Sequence, residues 1–448
     1  MIALRTVAVA AILALAPGLA SAQASPEPMT VYKGATLIDG TGAPPKPGMS
    51  ILVVGERIER VWKDGEVAFK LPPQTRVVDV AGQYVLPGLT DSHQHLATPP
   101  ARIWAEAELK RDLYSGVTSI RDMADDIRNV SDLSRAARIG EIPGPDIYYA
   151  ALMAGPSFFE DQRVHAASRG AKAGEVGWMQ AVGPQTDLAL AVAQARGLGA
   201  SAIKVYANLP GETVAKITAE AHRQGVPIWA HAAVFPATPA QVLAAGVDGV
   251  SHVCMLAYQV SDPIPGQYHK RAAVEEGRFG AGVHPEMAKL YARMKADGVV
   301  LDATVRIYEM MKARPSKPYC STELAAKLTR EAQAAGVIVS AGTDGASAPE
   351  ATYPALHEEL ELLVDKAGFT PMQAIVAATR NGALSVRKDP DFGTIEPGKL
   401  ANLVFVAKDP SADIRNLRTV VTTVKRGVVY ARADYDPKAD LAARKSQP

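Results

Sequence analysis

The sequence predicts an α/β fold: a closed (β/α)8 barrel of the TIM type carrying a small β-sandwich built from the two ends of the chain. Three observations predict it. Between Val85 and Thr343, eight short apolar strand patterns alternate with helical ones, and such alternation specifies a parallel sheet covered by helices. The alternating region runs for roughly 250 residues, the size of a closed barrel. Outside it, residues 29–83 and the stretch beyond 391 read as short strands punctuated by glycine. Strand-rich segments at opposite ends of a chain are most simply joined in one small domain.

Each element has its own signal. Met1 to Arg5 is weakly positive, Val7 to Leu15 is apolar, and Ala20-Ser21-Ala22 has the form of an A-x-A cleavage site, so residues 1–22 read as a secretory signal peptide. The apolar run is too short to span a bilayer as an ordinary helix. The mature chain is therefore expected in the periplasm or secreted, without a membrane partner. Strands over 30–38, 50–54, 57–61 and 75–80, with turns at Gly40, Gly42, Gly48 and Gly55, form the first sandwich part, residues 23–85. Tyr84, Val85, Leu86 and then Leu89 read as one buried strand interrupted at Pro87-Gly88, which opens the barrel, residues 86–369. Strands follow over 117–121, 146–151, 202–206, 227–230, 247–252, 299–303 and 337–343, with helices over 127–139, 187–197, 212–223, 239–245, 284–296 and 321–335. Thr370 can cap a helix with Pro371 at its first position and Gln373 completing a capping box. This is a linker helix within 370–390. Strands over 401–406 and 420–430 belong to the second sandwich part, residues 391–435, and 436–448 is a tail.

Composition narrows the classes of function. The 448 residues suit one large domain and a smaller one, and 48% apolar content supplies a sizeable core. Lys and Arg number 48 against 47 Asp and Glu, a balance without the electrostatic footprint of a nucleic-acid or anionic-membrane binder. The two cysteines, Cys254 and Cys320, lie in unlike sequence contexts. An oxidising compartment would let them pair, but they are expected as two buried free thiols.

The chemistry gathers at strand ends. The first strand finishes in Asp91-Ser92-His93-Gln94-His95. Residues i and i+2 of a strand share a face, so His93 and His95 set two imidazoles side by side, and imidazole is a good ligand for zinc and its neighbours. The later strands bring Lys204, His231, His252 and Asp344 to the same end. Each has an ordinary reading alone: a satisfied core histidine, a snorkelling lysine, an aspartate capping a helix. Six such residues at one rim of a barrel, where barrel enzymes keep their active sites, point to a metal centre. Two long Gly-rich connections, 152–186 and 255–283, leave this rim and are expected to act as lids. The first carries Arg163, His165 and Arg169, the second His269 and Arg271.

The motifs PGLTDSHQHL, GVTSIRD, AIKVYA, WAHA, VSHV, AGTDGA and GTIEPGKLANLVFV together resemble the amidohydrolase superfamily across nearly the whole mature chain. The subgroup it looks most like is the imidazolonepropionase-related one, which holds Xaa-Pro dipeptidase-like and other aminoacyl-amide hydrolases. The resemblance implies two divalent metal ions, zinc by expectation. His93, His95 and Asp344 would hold the more buried ion and His231 and His252 the second. Lys204 would bridge both as a carbamate formed with CO2, because a bare ammonium would repel two cations. A bridging hydroxide would be the nucleophile, Asp344 would take its proton and pass it to the leaving amine, and the second metal would polarise the carbonyl. Two departures concern the substrate pocket. Val250-Ser251-His252 lacks the acidic residue that relatives often place before the histidine, and Tyr206-Ala207-Asn208 replaces a Gly-rich turn.

Substrate residues are less sharply marked. Tyr206 shares the face of Lys204 by period 2, so its hydroxyl could meet a developing oxyanion or simply pack in the core. Arg163, His165 and Arg169 could bind a substrate carboxylate or form a solvated loop, and Cys254 reads as packing. The leading function is hydrolysis of a C–N amide bond in a small molecule such as an N-acyl amino acid, a dipeptide or a cyclic amide. A deaminase of the same superfamily is second, although mononuclear deaminases usually lack the strand-4 lysine. A lactonase or phosphotriesterase is third, and a silent binding protein, which typically loses ligands, is the alternative of another class. A homo-oligomer acting on a small-molecule substrate is expected.

Overall fold

The computed structural model describes residues 27–66, 70–313 and 318–445; the expected signal peptide over 1–22 lies outside the described residues. The barrel strands are Leu89–Gln94, Val117–Asp122, Asp146–Ala154, Ala202–Val205, Ile228–His231, Gly249–Ser251, Val300–Asp302 and Ile338–Ser340. Each pairs in parallel with the next in chain order. The circle closes where the Ser92 N–H donates to the Ala341 carbonyl at 2.8 Å and the Asp344 N–H to the His93 carbonyl at 2.9 Å. These strands are short and buried along nearly their whole length, as expected when side chains fill one face of a parallel sheet and helices cover the other.

The expected single strand at 84–89 is two strands in two sheets. Tyr84–Pro87 runs antiparallel to Leu403–Val406 in the small domain, whereas Leu89–Gln94 begins the barrel. Pro87 has no N–H to continue a ladder. Gly88 passes so close to the second barrel strand that a Cβ there would lie 2.0 Å from Thr118 Oγ1.

The small domain is one mixed eight-stranded sheet to which both chain ends contribute. Met29–Leu37 is its centre, paired with Lys46–Val54, Arg76–Asp79 and Tyr84–Pro87. It has its own core, with Tyr32, Ile51, Val85 and Phe405 buried together and the Tyr32 and Phe405 rings 4.9 Å apart. The run expected as one strand over 420–430 is a hairpin, Val420–Lys425 and Val428–Ala431, turning at Arg426-Gly427. Both turn residues have positive φ, 51° and 75°, as a two-residue I′ turn requires. Asp146, at the start of the third barrel strand, joins the domains by ion pairs with Lys425 at 3.1 Å and Arg426 at 2.7 Å.

Further features differ from the sequence expectation. The first barrel helix, Arg102–Tyr114, buries Glu108, Arg111 and Asp112 among its apolar residues, so its apolar stripe is too broken to read. The linker is two helices, Pro371–Ala377 and Arg380–Ser385, which pack beneath the barrel: the Ala378 carbonyl takes the Thr90 N–H, and Asn381 Nδ2 donates to the Val339 carbonyl at 2.9 Å. The Thr370–Gln373 capping box is present as read, with Pro371 at the helix start. Cys254 and Cys320 form a disulfide, Cα to Cα 6.3 Å, which corrects the expectation of free thiols. They sit after the sixth and seventh barrel strands, and neighbouring strands bring their following segments together whatever the sequence separation. The connection 152–186 also carries structure, including the helix Gln162–Ala167 and the strand Met179–Ala181 alongside the third barrel strand.

Candidate metal centre

The geometry of the site begins with which nitrogen each histidine leaves free. His93 is buried at the end of the first strand, its Nδ1 2.5 Å from Asp302 Oδ2 and its Nε2 3.3 Å from Asp344 Oδ1. His95 repeats the arrangement, with Nδ1 2.8 Å from Asp125 Oδ1 and Nε2 3.4 Å from Asp344 Oδ1. A carboxylate thus fixes one side of each ring and aims the other at a common point, the usual support of a metal-ligating histidine. His93, His95 and Asp344 can each offer a ligand atom within 4.8 Å of the others.

The other expected ligands adjoin this group. The His252 ring lies 4.9 Å from that of His93, and its Nδ1 is 2.9 Å from Thr304 Oγ1 and 3.8 Å from Asp344 Oδ2. The His231 ring is 4.8 Å from that of His252, and its buried Nδ1 has no hydrogen-bond partner. Lys204 is completely buried, its Nζ 3.4 Å from Ser251 Oγ. Asp344, His252 and Thr304 all have positive φ, between 47° and 70°. Such strain in non-glycine residues concentrates at functional sites. Gly342 of the AGTDGA motif passes where a Cβ would lie 2.2 Å from Asp302 Oδ1 and 2.9 Å from the His93 Cβ.

The electrostatics suit a cation. Burial holds His93 below its usual range and His231 well below it, and takes His252 down to about 3, the direction that favours the ligating form of imidazole. Burial would raise Asp344, but His93, His252 and His95 outweigh it and hold the carboxyl far below its ordinary value. Burial would lower His95, yet Asp125 and Asp344 push it up to about 10. A proton held that tightly marks a place where the carboxylates call for positive charge. Burial, helped by Arg121, brings the Lys204 ammonium down to about 7. The donor set of imidazoles and carboxylate therefore fits a divalent ion such as zinc.

A cavity of about 1240 Å³ opens over this rim. Tyr206 lines it, its ring 4.0 Å from that of His231. Arg163 also lines it, but Asp161 already holds its Nη2 at 2.7 Å, and His269 Nε2 stands 3.1 Å from the same carboxylate. His165 and Arg169 are exposed and do not line the cavity, and the Arg169 carbonyl accepts from Arg128 Nη2 at 2.9 Å. Cys254 is buried in the disulfide.

The amidohydrolase family model matches residues 84–430. The chain belongs to the amidohydrolase family. It is a hydrolase of that family. This amidohydrolase is 24% identical to the ochratoxinase of Aspergillus niger over 432 residues, covering 86% of the chain and 83% of that protein. An adenine deaminase of Rubrobacter xylanophilus is 41% identical over 66 residues, only 11% of its length. A crystal structure of a Xaa-Pro dipeptidase with bound methionine matches at TM-score 0.70 and 21% identity, over 90% of this chain and all of that one.

Three residues of the amidohydrolase site are absent from the sequence reading: Asp302, Asp125 and Thr304, the supports of His93, His95 and His252. Asp302 had a readable signal, because it ends the seventh strand at the rim where the other strands carry their ligands. Asp125 and Thr304 lie just beyond strands, where sequence gives no side-chain direction.

Proposed function

We propose that this amidohydrolase is a binuclear metal-dependent hydrolase that cleaves a C–N amide bond of a small molecule: an N-acyl amino acid, a dipeptide or a cyclic amide. The observation that carries the reading is Lys204, a fully buried amine beside the histidine rim whose hydrogen bond goes to Ser251 Oγ. Burial that brings it down to about 7 leaves much of it as the free amine at neutral pH. A free amine adds CO2 with loss of a proton, and the resulting carbamate turns a repelling cation into an anion with two donor oxygens. His93, His95 and Asp344 would hold one metal, His231 and His252 the other, and the Lys204 carbamate would stand between them. When bound, the metals would supply Lewis-acid polarisation of the scissile carbonyl and a more acidic water.

The chain supplies the rest. Asp344 takes the proton of the attacking water and delivers it to the leaving amine, the role of a general base turned acid. Asp125 and Asp302 hold the His95 and His93 rings in the required tautomer. Burial keeps the Tyr206 hydroxyl protonated, so it can donate to the developing oxyanion from its place beside His231. The resemblance to a dipeptidase supports an amide substrate, and the disulfide supports an oxidising compartment outside the cytoplasm. The test combines metal content with a screen of the zinc-loaded protein against N-acyl amino acids, dipeptides and lactones. Two metals per chain and turnover of an amide are expected. A single metal with deamination, or turnover of lactones alone, would overturn the reading.

A further inference from the structure

We infer that Arg271, held in a cage of tyrosines beside the histidine rim, is the receptor for a substrate anion, and that the substrate carries a carboxylate on the amine side of the bond that is cut. The inference rests on the amide-hydrolase reading above.

Arg163 and Arg271 both line the cavity, and they are not equivalent. Arg163 has its carboxylate: Asp161 accepts from both Nε and Nη2, at 3.1 Å and 2.7 Å. A substrate anion would have to displace that partner. Arg271 has no carboxylate partner among the described residues. Its Nη1 donates to the Tyr268 carbonyl at 2.6 Å, and its buried Nε makes no hydrogen bond. A desolvated donor left unpaired is costly, and a guanidinium fork matches a carboxylate in two parallel hydrogen bonds.

The cage fixes where that fork can be. The guanidinium carbon lies 4.0 Å from the Tyr268 ring centre and 4.5 Å from that of Tyr319. Aromatic faces hold a cation without neutralising it. Tyr319 is anchored in turn, because its neighbour Cys320 is bonded to Cys254 and its hydroxyl lies 3.2 Å from that of Tyr308. The Tyr268 ring stands 5.5 Å from the His231 ring, so a single aromatic ring separates Arg271 from the rim. In an N-acyl amino acid or a dipeptide, the α-carboxylate is one carbon away from the nitrogen that leaves. An anchor one ring from the rim is a fitting place to seize that carboxylate while the carbonyl meets the rim, and such positioning is a large part of catalysis.

The test compares matched substrates, a panel of N-acetyl-L-amino acids and their carboxamides, on the metal-loaded wild type and on Arg271→Met. The wild type should prefer the acids. Arg271→Met should raise KM for the acids by about 10- to 100-fold, the worth of a charge-assisted hydrogen bond, change kcat less, and leave the carboxamides nearly unaffected. Hydrolysis that persists with acid and carboxamide affected equally, or neither affected, would overturn the receptor and leave the amide reading standing. Wild type that cleaves neither series, nor any dipeptide or cyclic amide, would overturn the amide reading instead. Calorimetric binding of the same N-acetyl amino acids then tests the receptor alone, weaker binding to Arg271→Met upholding it and equal binding overturning it. If Arg271→Met does not fold, Arg271→Gln, which keeps a polar side chain but removes the charge, replaces it under the same criteria.

Discussion

Asp344 is the residue on which both free histidine nitrogens converge, at 3.3 and 3.4 Å, so its substitution separates ligation from proton transfer. Asp344→Asn keeps the size and one acceptor oxygen but cannot take a proton. Loss of a general base costs on the order of 10²–10⁴ in rate, so steady-state kinetics should show kcat falling by that much with KM changed far less. Metal content should fall only in part. Full recovery of kcat on adding zinc would make Asp344 a ligand only. Lys204 gives a pH test with a definite sign. Below about 7 the ammonium dominates and cannot add CO2; above it the free amine is available. Metal uptake by apoprotein should therefore rise with pH through that value and with bicarbonate concentration, and Lys204→Ala should lose both dependences. Uptake indifferent to bicarbonate would exclude the carbamate. At this scale the six strand-end residues were legible because period 2 and the end of a strand fix both face and rim. Arg271 and Asp125 were not legible as site residues, because a loop residue's direction is set by tertiary contacts that no local pattern encodes.

At the scale of elements, the disulfide ties the segment after the sixth strand to the one after the seventh, across 66 residues of chain. Cross-linking a loop of that size stabilises a fold by about 2–5 kcal/mol. Cys254→Ser and Cys320→Ser should each lower unfolding stability by about that amount, as should the double variant, measured by denaturant titration under oxidising conditions. A double variant markedly less stable than either single one would mean that packing, not the bond, is responsible. The sequence could not foretell this bond, because pairing depends on which barrel strands are neighbours. The same limit hid the first barrel helix, whose buried Glu108, Arg111 and Asp112 erase the periodic stripe. The helix at Pro371 was legible to the residue because its capping box is purely local chemistry.

At the scale of the whole molecule, the alternation of strands and helices announced the barrel, and the glycine-punctuated ends announced the second domain. How the two dock was not announced, since Asp146, Lys425 and Arg426 look in sequence like ordinary surface charges. In the structure Asp146 and Lys425 are buried, and Lys425 Nζ also donates to the Ala137 and Gly144 carbonyls, each at 2.8 Å. Burial pushes Asp146 above its usual range and Lys425 below its own, so for both groups desolvation outweighs the attraction between them. A buried ion pair of this kind adds little net stability, but removing one partner strands the other charge and costs about 3–5 kcal/mol. Asp146→Ala should therefore be far more damaging than its ion pairs with Lys425 and Arg426 would suggest by themselves. Calorimetry should show a lowered transition for the whole chain, with the small domain melting ahead of the barrel as the junction loosens. Adding Lys425→Met should restore part of the loss by removing the stranded cation, short of full recovery because the Ala137 and Gly144 carbonyls lose their donor. If Asp146→Ala melts like the wild type, the cluster does not hold the domains together, and the docking rests on other contacts, among them Arg432 with Ser115 and Arg418 with Glu361.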